Sequence, residues 1–173
     1  MSLELSAAVE RAQNGDTQAF AQLYSLVYKD LYRVALLNLN NEHDASDVVS
    51  DTVLEAYQKI RKLRDPAAFK AWITAILTAQ INKKLREYVR QRNLEEDIED
   101  LEGSLPDSDF QSEFGMIELQ QAMQVLSEEE RMVLTLSVVS GFTSEEISQT
   151  TGISANTVRS KIARAKAKLR KHL

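Results

Sequence analysis

The residues of this chain best suited to chemistry are seven cations near its C-terminus: Arg159, Lys161, Arg164, Lys166, Lys168, Arg170 and Lys171. Val158, Ile162, Ala165 and Leu169 run among them at spacings i, i+4, i+7 and i+11. On a helix those four form one apolar stripe that must face a core, which leaves the cations on the open surface. Guanidinium and ammonium groups arrayed this way bind phosphates and the acceptor edges of guanine. Their chemistry is recognition of a polyanion, with no bond made or broken. No nucleophile–base pair, phosphate-cradling glycine loop or convergent carboxylate site is legible elsewhere. With no cysteine, and with His43 and His172 near opposite ends, neither a metal nor a cofactor is expected.

Two further elements must hold that helix in place. Thr143 can cap a preceding helix, with Glu146 three residues on completing a capping box. Gly152 suits the left-handed turn between the helices, and Ser154 can cap the second one. Residues 143–171 therefore read as a helix-turn-helix whose second helix enters a DNA groove.

The net charge of −5 is misleading as a single number. Residues 1–92 carry 13 Lys/Arg against 11 Asp/Glu, and residues 116–173 carry 8 against 6, so each is +2. Residues 93–115 hold nine acids and no base, a charge of −9. Two mildly basic lobes joined by an acidic strap are expected, and the charge asymmetry is the informative quantity. The strap, with Gly103, Pro106 and scattered acids, reads as a flexible linker. No apolar run approaches a membrane span and no signal-peptide pattern opens the chain, so a cytosolic protein without membrane insertion is expected.

Helical periodicity dominates throughout, and the expected fold class is all-α, two small helical domains. A first helix covers Leu3 to Gln13 and stops at Asn14-Gly15. A second starts near Asp16 with Phe20, Leu23, Tyr24, Val27, Leu31 and Ala35 on one face, and a third starts near Asp44 with Val48, Val49, Val53, Ala56 and Ile60. Pro66 belongs in the first turn of a fourth helix carrying Phe69, Trp72, Ile73, Ile76, Ile81 and Leu85. Helices resume near Met116; Ser127 and Glu130 form a second capping box, and Gly141 ends that helix.

On the third helix Asp44, Asp47, Asp51 and Glu55 form an acidic ridge opposite its apolar face. The pattern alone fits a solvated face as readily as a docking surface. The distal half of the fourth helix is cationic, through Lys83, Lys84, Arg86, Arg90 and Arg92.

The stretch LSEEERMVLTLSVVSGFTSEEISQTTGISANTVRSKIARAKAKL resembles region 4 of bacterial sigma factors. HDASDVVSDTVLEAYQKI followed by FKAWITAI resembles their region 2. Their order, the acidic linker and the lack of other domains resemble the extracytoplasmic-function (ECF) group of the sigma-70 family. The resemblance implies residues 1–92 as a region 2 domain, 93–115 as a linker and 116–173 as a region 4 domain. It implies binding to core RNA polymerase, direction of the polymerase to promoter DNA, and pairing with an anti-sigma factor. It also places Arg159, Ser160, Ala163 and Arg164, with Asn156 and Thr157 at the helix start, at the upstream (−35) element.

The acidic ridge would then dock on the polymerase. Arg64, Asp65 and the loop through Ala68, with Lys83, Lys84, Arg86 and Arg90, would handle the downstream (−10) element. Phe69, Trp72 and Ile76 read as core rather than as base-stacking platforms. The linker charge would suit a channel made for nucleic acid. The chain departs from the family pattern at Ser148, Thr151, Ala79 and Lys83. A stand-alone helix-turn-helix regulator would instead bind duplex DNA unaided at a two-fold operator. A helical interaction protein would bind any polyanion equally well.

Overall fold

The computed structural model describes residues 2–95 and 115–172, and every element among them is helical. The strap expected over 93–115 therefore lies outside the described residues except at its two ends. Helix α1 spans Ser2–Gln13, α2 Thr17–Leu39, α3 Glu42–Lys59 and α4 Phe69–Glu95. Short 3₁₀ turns at Ile60–Lys62 and Pro66–Ala68 join α3 to α4. Then follow α5 Met116–Met123, α6 Glu128–Val138, α7 Ser144–Thr151 and α8 Ala155–His172.

Local chemistry explains most boundaries. The Asp16 carboxylate accepts from the amides of Gln18 and Ala19 and starts α2, while Asn40 ends it in the left-handed conformation at φ 52°. The third helix starts earlier than Asp44, at Glu42, because the Asn41 side chain accepts from the Asp44 amide and caps it. Pro66 opens a separate 3₁₀ turn rather than α4 itself. Asp65 caps that turn by accepting from the Ala67 amide, and Phe69, fully buried, begins the helix.

In the first lobe α2 is the central element, flanked by α1, α3 and α4. Phe20, Leu23, Val27, Leu31, Val49, Ala56, Phe69, Ile73 and Leu77 are its buried core. Trp72 and Ile76 are partly buried against that core, as their spacing indicates. In the second lobe α8 packs on α5, α6 and α7, with Val158 and Ala165 fully buried and Ile162 and Leu169 half-buried.

The lobes pack on each other. Val34, Ala35, Leu36, Leu37, Asn38 and Leu39 are all buried. Six successive positions sweep more than one helical turn, so one lobe cannot cover them all. The second lobe covers the remaining side: Leu37 sits in a cluster with Met123, Leu126, Leu134 and Ala165. Asn38 Nδ2 donates to the Val34 carbonyl at 2.8 Å and to Thr135 Oγ1 at 3.0 Å. Lys70 Nζ donates to the Ser140 carbonyl at 2.9 Å and lies 5.9 Å from the centroid of the Phe142 ring.

The second lobe holds an ion pair with a buried carboxylate. Glu130 is buried, closes the capping box of α6 with Ser127, and accepts from Lys168 Nζ at 2.9 and 3.0 Å. Burial pushes its carboxyl pKa up, but the bonds from Lys168 and the Ser127 amide outweigh that and hold it below the ordinary 4.5. A depressed carboxyl stabilises the fold above its unfolded pKa, and the contribution disappears as pH falls through the folded value. Replacing Glu130 by Gln should therefore lower stability by about 1–2 kcal/mol at pH 7. The difference from the parent should shrink as pH drops below about 4.5, measured by thermal melting across pH. An offset that stays constant down to the acid range would show that the charge contributes nothing.

Candidate nucleic-acid interface

The helix-turn-helix forms from its own local bonds. The Thr143 amide donates to Glu146 Oε2 at 2.7 Å, and the Glu146 amide donates to Thr143 Oγ1 at 3.2 Å, so both sides of the capping box are made. Gly152 ends α7 at φ 79°, where any Cβ would be strained, and its amide reaches the Ser148 carbonyl. The Ser154 hydroxyl accepts from the Thr157 amide at 3.3 Å and caps α8. Thr151 stands where the family pattern has an apolar side chain, and the structure satisfies its hydroxyl. It donates to the Ile147 carbonyl at 2.8 Å and accepts from the Ile153 amide at 3.3 Å.

Of the upstream-element candidates, Asn156, Arg159, Ser160, Ala163 and Arg164 are exposed along one face of α8. Thr157 is half-buried and accepts from the Ser154 hydroxyl. Arg159, Ala163, Lys166 and Arg170 line a shallow groove with Ser137, Ser144 and Ile162.

The open surface of α8 is not wholly cationic, and here the structure corrects the sequence reading. Lys161 pairs with Glu129 at 2.8 Å, Lys168 with Glu130, and Arg159 with Glu145. The acids come from α6 and α7, far enough away in sequence that periodicity on α8 does not reveal them. The pairs differ in kind. Arg159 and Glu145 are both largely exposed, so a phosphate or guanine can displace the carboxylate at little cost. Glu130 is buried, so Lys168 is committed to holding the lobe together. Among the described residues Arg164, Lys166, Arg170 and Lys171 are in no ion pair and remain available to DNA.

The downstream-element candidates divide the same way. Arg64, Lys83, Arg86 and Arg90 are exposed. Asp65 spends its carboxylate on the 3₁₀ turn. Lys84 lies 3.3 Å from Glu87 and 3.6 Å from Asp44. Burial works against its charge, but those two carboxylates outweigh it and raise its pKa. It is therefore a link between α3 and α4, not a free contact for DNA. Arg86 borders a cleft shared with Glu128, Glu129, Thr151 and Ile153 of the second lobe.

The acidic ridge is likewise only half free. Asp44 accepts from the Tyr88 hydroxyl and faces Lys84, and Glu55 accepts from Lys59 at 2.6 Å and from Gln80 at 3.0 Å. Burial and the neighbouring Asp44 carboxylate push the Tyr88 hydroxyl pKa up, so it stays a donor. Asp47 and Asp51 remain exposed in the middle of the ridge, Asp47 within 3.4 Å of His43. Tyr88 and Gln80 were not legible as partners: they lie 44 and 25 residues from the acids they bind. The inter-lobe residues Asn38, Thr135 and Lys70 were missed too. The lone asparagine inside the apolar run Val34–Leu39 was the one available signal.

Comparison with known proteins finds two matched regions in this chain. Residues 20–92 match the model of Sigma-70 region 2, and residues 116–169 match that of Sigma-70, region 4. The ECF RNA polymerase sigma-E factor of Haemophilus influenzae is 31% identical over 92% of this chain and 90% of its own length. The chain belongs to the ECF sigma factors of the sigma-70 family. It is also 30% identical to the ECF sigma factor SigE of Mycolicibacterium smegmatis over 83% of this chain, and spans 57% of that relative. The solved structure of CnrH with the cytosolic domain of CnrY shares the sigma-factor fold at TM-score 0.72 and 23% identity, covering 97% of this chain and 96% of that one. The sigma factor RpoE with the anti-sigma factor NepR, from Bartonella quintana, gives TM-score 0.74 at 24% identity over 88% of this chain and 95% of that one. A stand-alone regulator is not favoured, because sigma regions account for both halves. No helix among the described residues is long and apolar enough to cross a membrane.

Proposed function

We propose that this sigma factor binds core RNA polymerase in the cytoplasm and directs it to promoters, with the polymerase performing all the chemistry. The observation that carries the reading is the presence of both sigma regions, in order, with an exposed polar and cationic face on α8. The region 4 domain within 116–173 takes the −35 element through Asn156, Thr157, Arg159, Ser160, Ala163 and Arg164. The region 2 domain within 1–92 takes the −10 element through the Arg64–Ala68 loop and the exposed cations Lys83, Arg86 and Arg90. Asp47 and Asp51 provide the polymerase-docking charge. CnrH and RpoE were each solved with a bound protein, and we extend an anti-sigma partner to this chain by that likeness.

The packed lobes have a consequence for this function. Helix α7 touches both α4 and α8, so where it lies between them the two DNA-facing helices are at most about two packing distances apart, ~20 Å between axes. Promoter elements about one and a half turns apart lie roughly 50 Å from each other along DNA. The lobes therefore separate before both elements are engaged.

Run-off transcription with purified core polymerase over a promoter library tests the reading, with duplex binding by the protein alone as the control. Synthesis confined to promoters sharing two spaced elements supports it. Tight duplex binding without polymerase and no directed synthesis would return the protein to the stand-alone regulators. Within that assay, Arg164→Ala should cost about 1–3 kcal/mol at one base pair of the −35 element. Equal loss on every sequence would reduce Arg164 to a phosphate contact.

A further inference from the structure

Helix α1 precedes both matched regions, yet it is tied to the loop assigned above to the −10 element. Its last residue, Gln13, is half-buried. The side-chain amide donates to the Ile60 carbonyl at 2.9 Å and to the Leu63 carbonyl at 2.8 Å. An amide nitrogen carries two N–H donors, so both are used. The reverse orientation would set an oxygen against two carbonyls, which fixes the amide as drawn.

The Ile60 carbonyl opens the 3₁₀ turn following α3 and already accepts from the Leu63 amide at 3.2 Å, whereas Leu63 leaves that turn, where helical partners run out. Leu63 leaves the turn in an extended conformation, and Arg64 is next. From there the chain is constrained again by the Asp65 cap and by buried Phe69. Helix α1 also lies against the Pro66–Ala68 turn and is anchored in the core by Ala8, Val9 and Ala12. Arg64–Ala68 is thus a short loop, exposed at Arg64, Asp65 and Ala67 and fastened at both ends, and Gln13 is the fastening at its start.

We propose that Gln13 is a positioning residue for −10 recognition: its two hydrogen bonds to Ile60 and Leu63 set the place from which Arg64 and the following loop meet the base. The proposal rests on the loop being the −10 reader, and the test separates the two claims. Run-off transcription with core polymerase is measured on promoters carrying every single-base change in the −10 element, and on a second set changed only in the −35 element. The full-length chains compared are the parent, Gln13→Met, Gln13→Glu, Gln13→Lys and Arg64→Ala. Methionine keeps the volume and removes the donors, glutamate adds repulsion, and lysine keeps a donor for the carbonyls.

The expected result is a loss of about tenfold in base discrimination at one −10 position for Gln13→Met and Gln13→Glu, the scale of two lost hydrogen bonds. The −35 preferences should be unchanged, and Gln13→Lys should recover most of the discrimination. An even loss on all −10 variants would reduce Gln13 to a staple of the fold and overturn the proposal. If Arg64→Ala alters −10 preference while Gln13→Met does not, the positioning role alone fails. If neither alters it, the loop is not the reader and the assignment beneath the proposal fails as well. Should Gln13→Glu melt below assay temperature, Gln13→Met with amide exchange decides. Faster exchange at Ala67 and Ala68, with α6 and α8 unchanged, is required, and unchanged protection there would overturn the proposal.

Discussion

Replacing Asn38 by aspartate should drive the two lobes apart. Asn38 is 2% exposed, and its amide nitrogen is what makes it tolerable there, donating to the Val34 carbonyl and to Thr135 Oγ1. Thr135 already directs its own hydroxyl proton toward the Arg131 and Met132 carbonyls, at 2.8 and 3.0 Å. The aspartate oxygen in place of Nδ2 would therefore face two acceptors, and the other would have no donor. Burying an unpaired carboxylate costs several kcal/mol, as much as two or three apolar side chains buried between the lobes contribute at ~2 kcal/mol each. Small-angle scattering should show a larger radius of gyration, and thermal unfolding should split into two transitions. Asn38→Leu is the opposite case. Asn38 Oδ1 is buried with no partner, so an apolar side chain of similar size should preserve the closed form. An unchanged radius and a single transition for the aspartate variant at neutral pH would mean that the lobes do not depend on this contact.

Reversing Asp47 and Asp51 together to lysine should weaken association with core polymerase by several kcal/mol, because placing like charges across an interface is more costly than losing a favourable pair. The fold should be untouched, since both side chains are exposed and neither is used to join helices. Asp44→Ala is the contrasting change. It strips Tyr88 and Lys84 of their shared partner and should lower stability by about 1–3 kcal/mol, with its effect on polymerase following from that loss. Fluorescence titration of core polymerase, paired with thermal melting of each variant, distinguishes them. Undiminished affinity in the double lysine variant would move the docking surface elsewhere.

These outcomes differ because the ridge, uniform in sequence, is divided in space. Asp44, Asp47, Asp51 and Glu55 share one helical face, and their spacing treats them alike. The approach of α4 engages the two outer carboxylates, Asp44 through Tyr88 and Lys84 and Glu55 through Gln80, with Lys59 of α3 itself also bonded to Glu55. The same happened on α8: its seven cations carry one sign along the sequence, yet α6 and α7 supply Glu129, Glu130 and Glu145 to three of them. Charge can be counted along a helix, but its availability depends on what packs beside it.

The sequence alone determined what depends on neighbours within about four residues. The capping boxes at Ser127 and Thr143, the left-handed turn at Gly152 and the apolar stripe of α8 all formed as their spacing demands, and with them the helix-turn-helix. Asn41 was one cap that stayed hidden, because Asn40-Asn41 reads as plain loop while one of the two ends a helix and the other starts one. Tertiary structure alone decided which charges remain free, how α1 holds the loop before α4, and that two modules share a core. Those contacts join residues 14 to 97 positions apart. Helical periodicity reports which face of a helix is apolar, but it carries no information about which distant helix will cover that face.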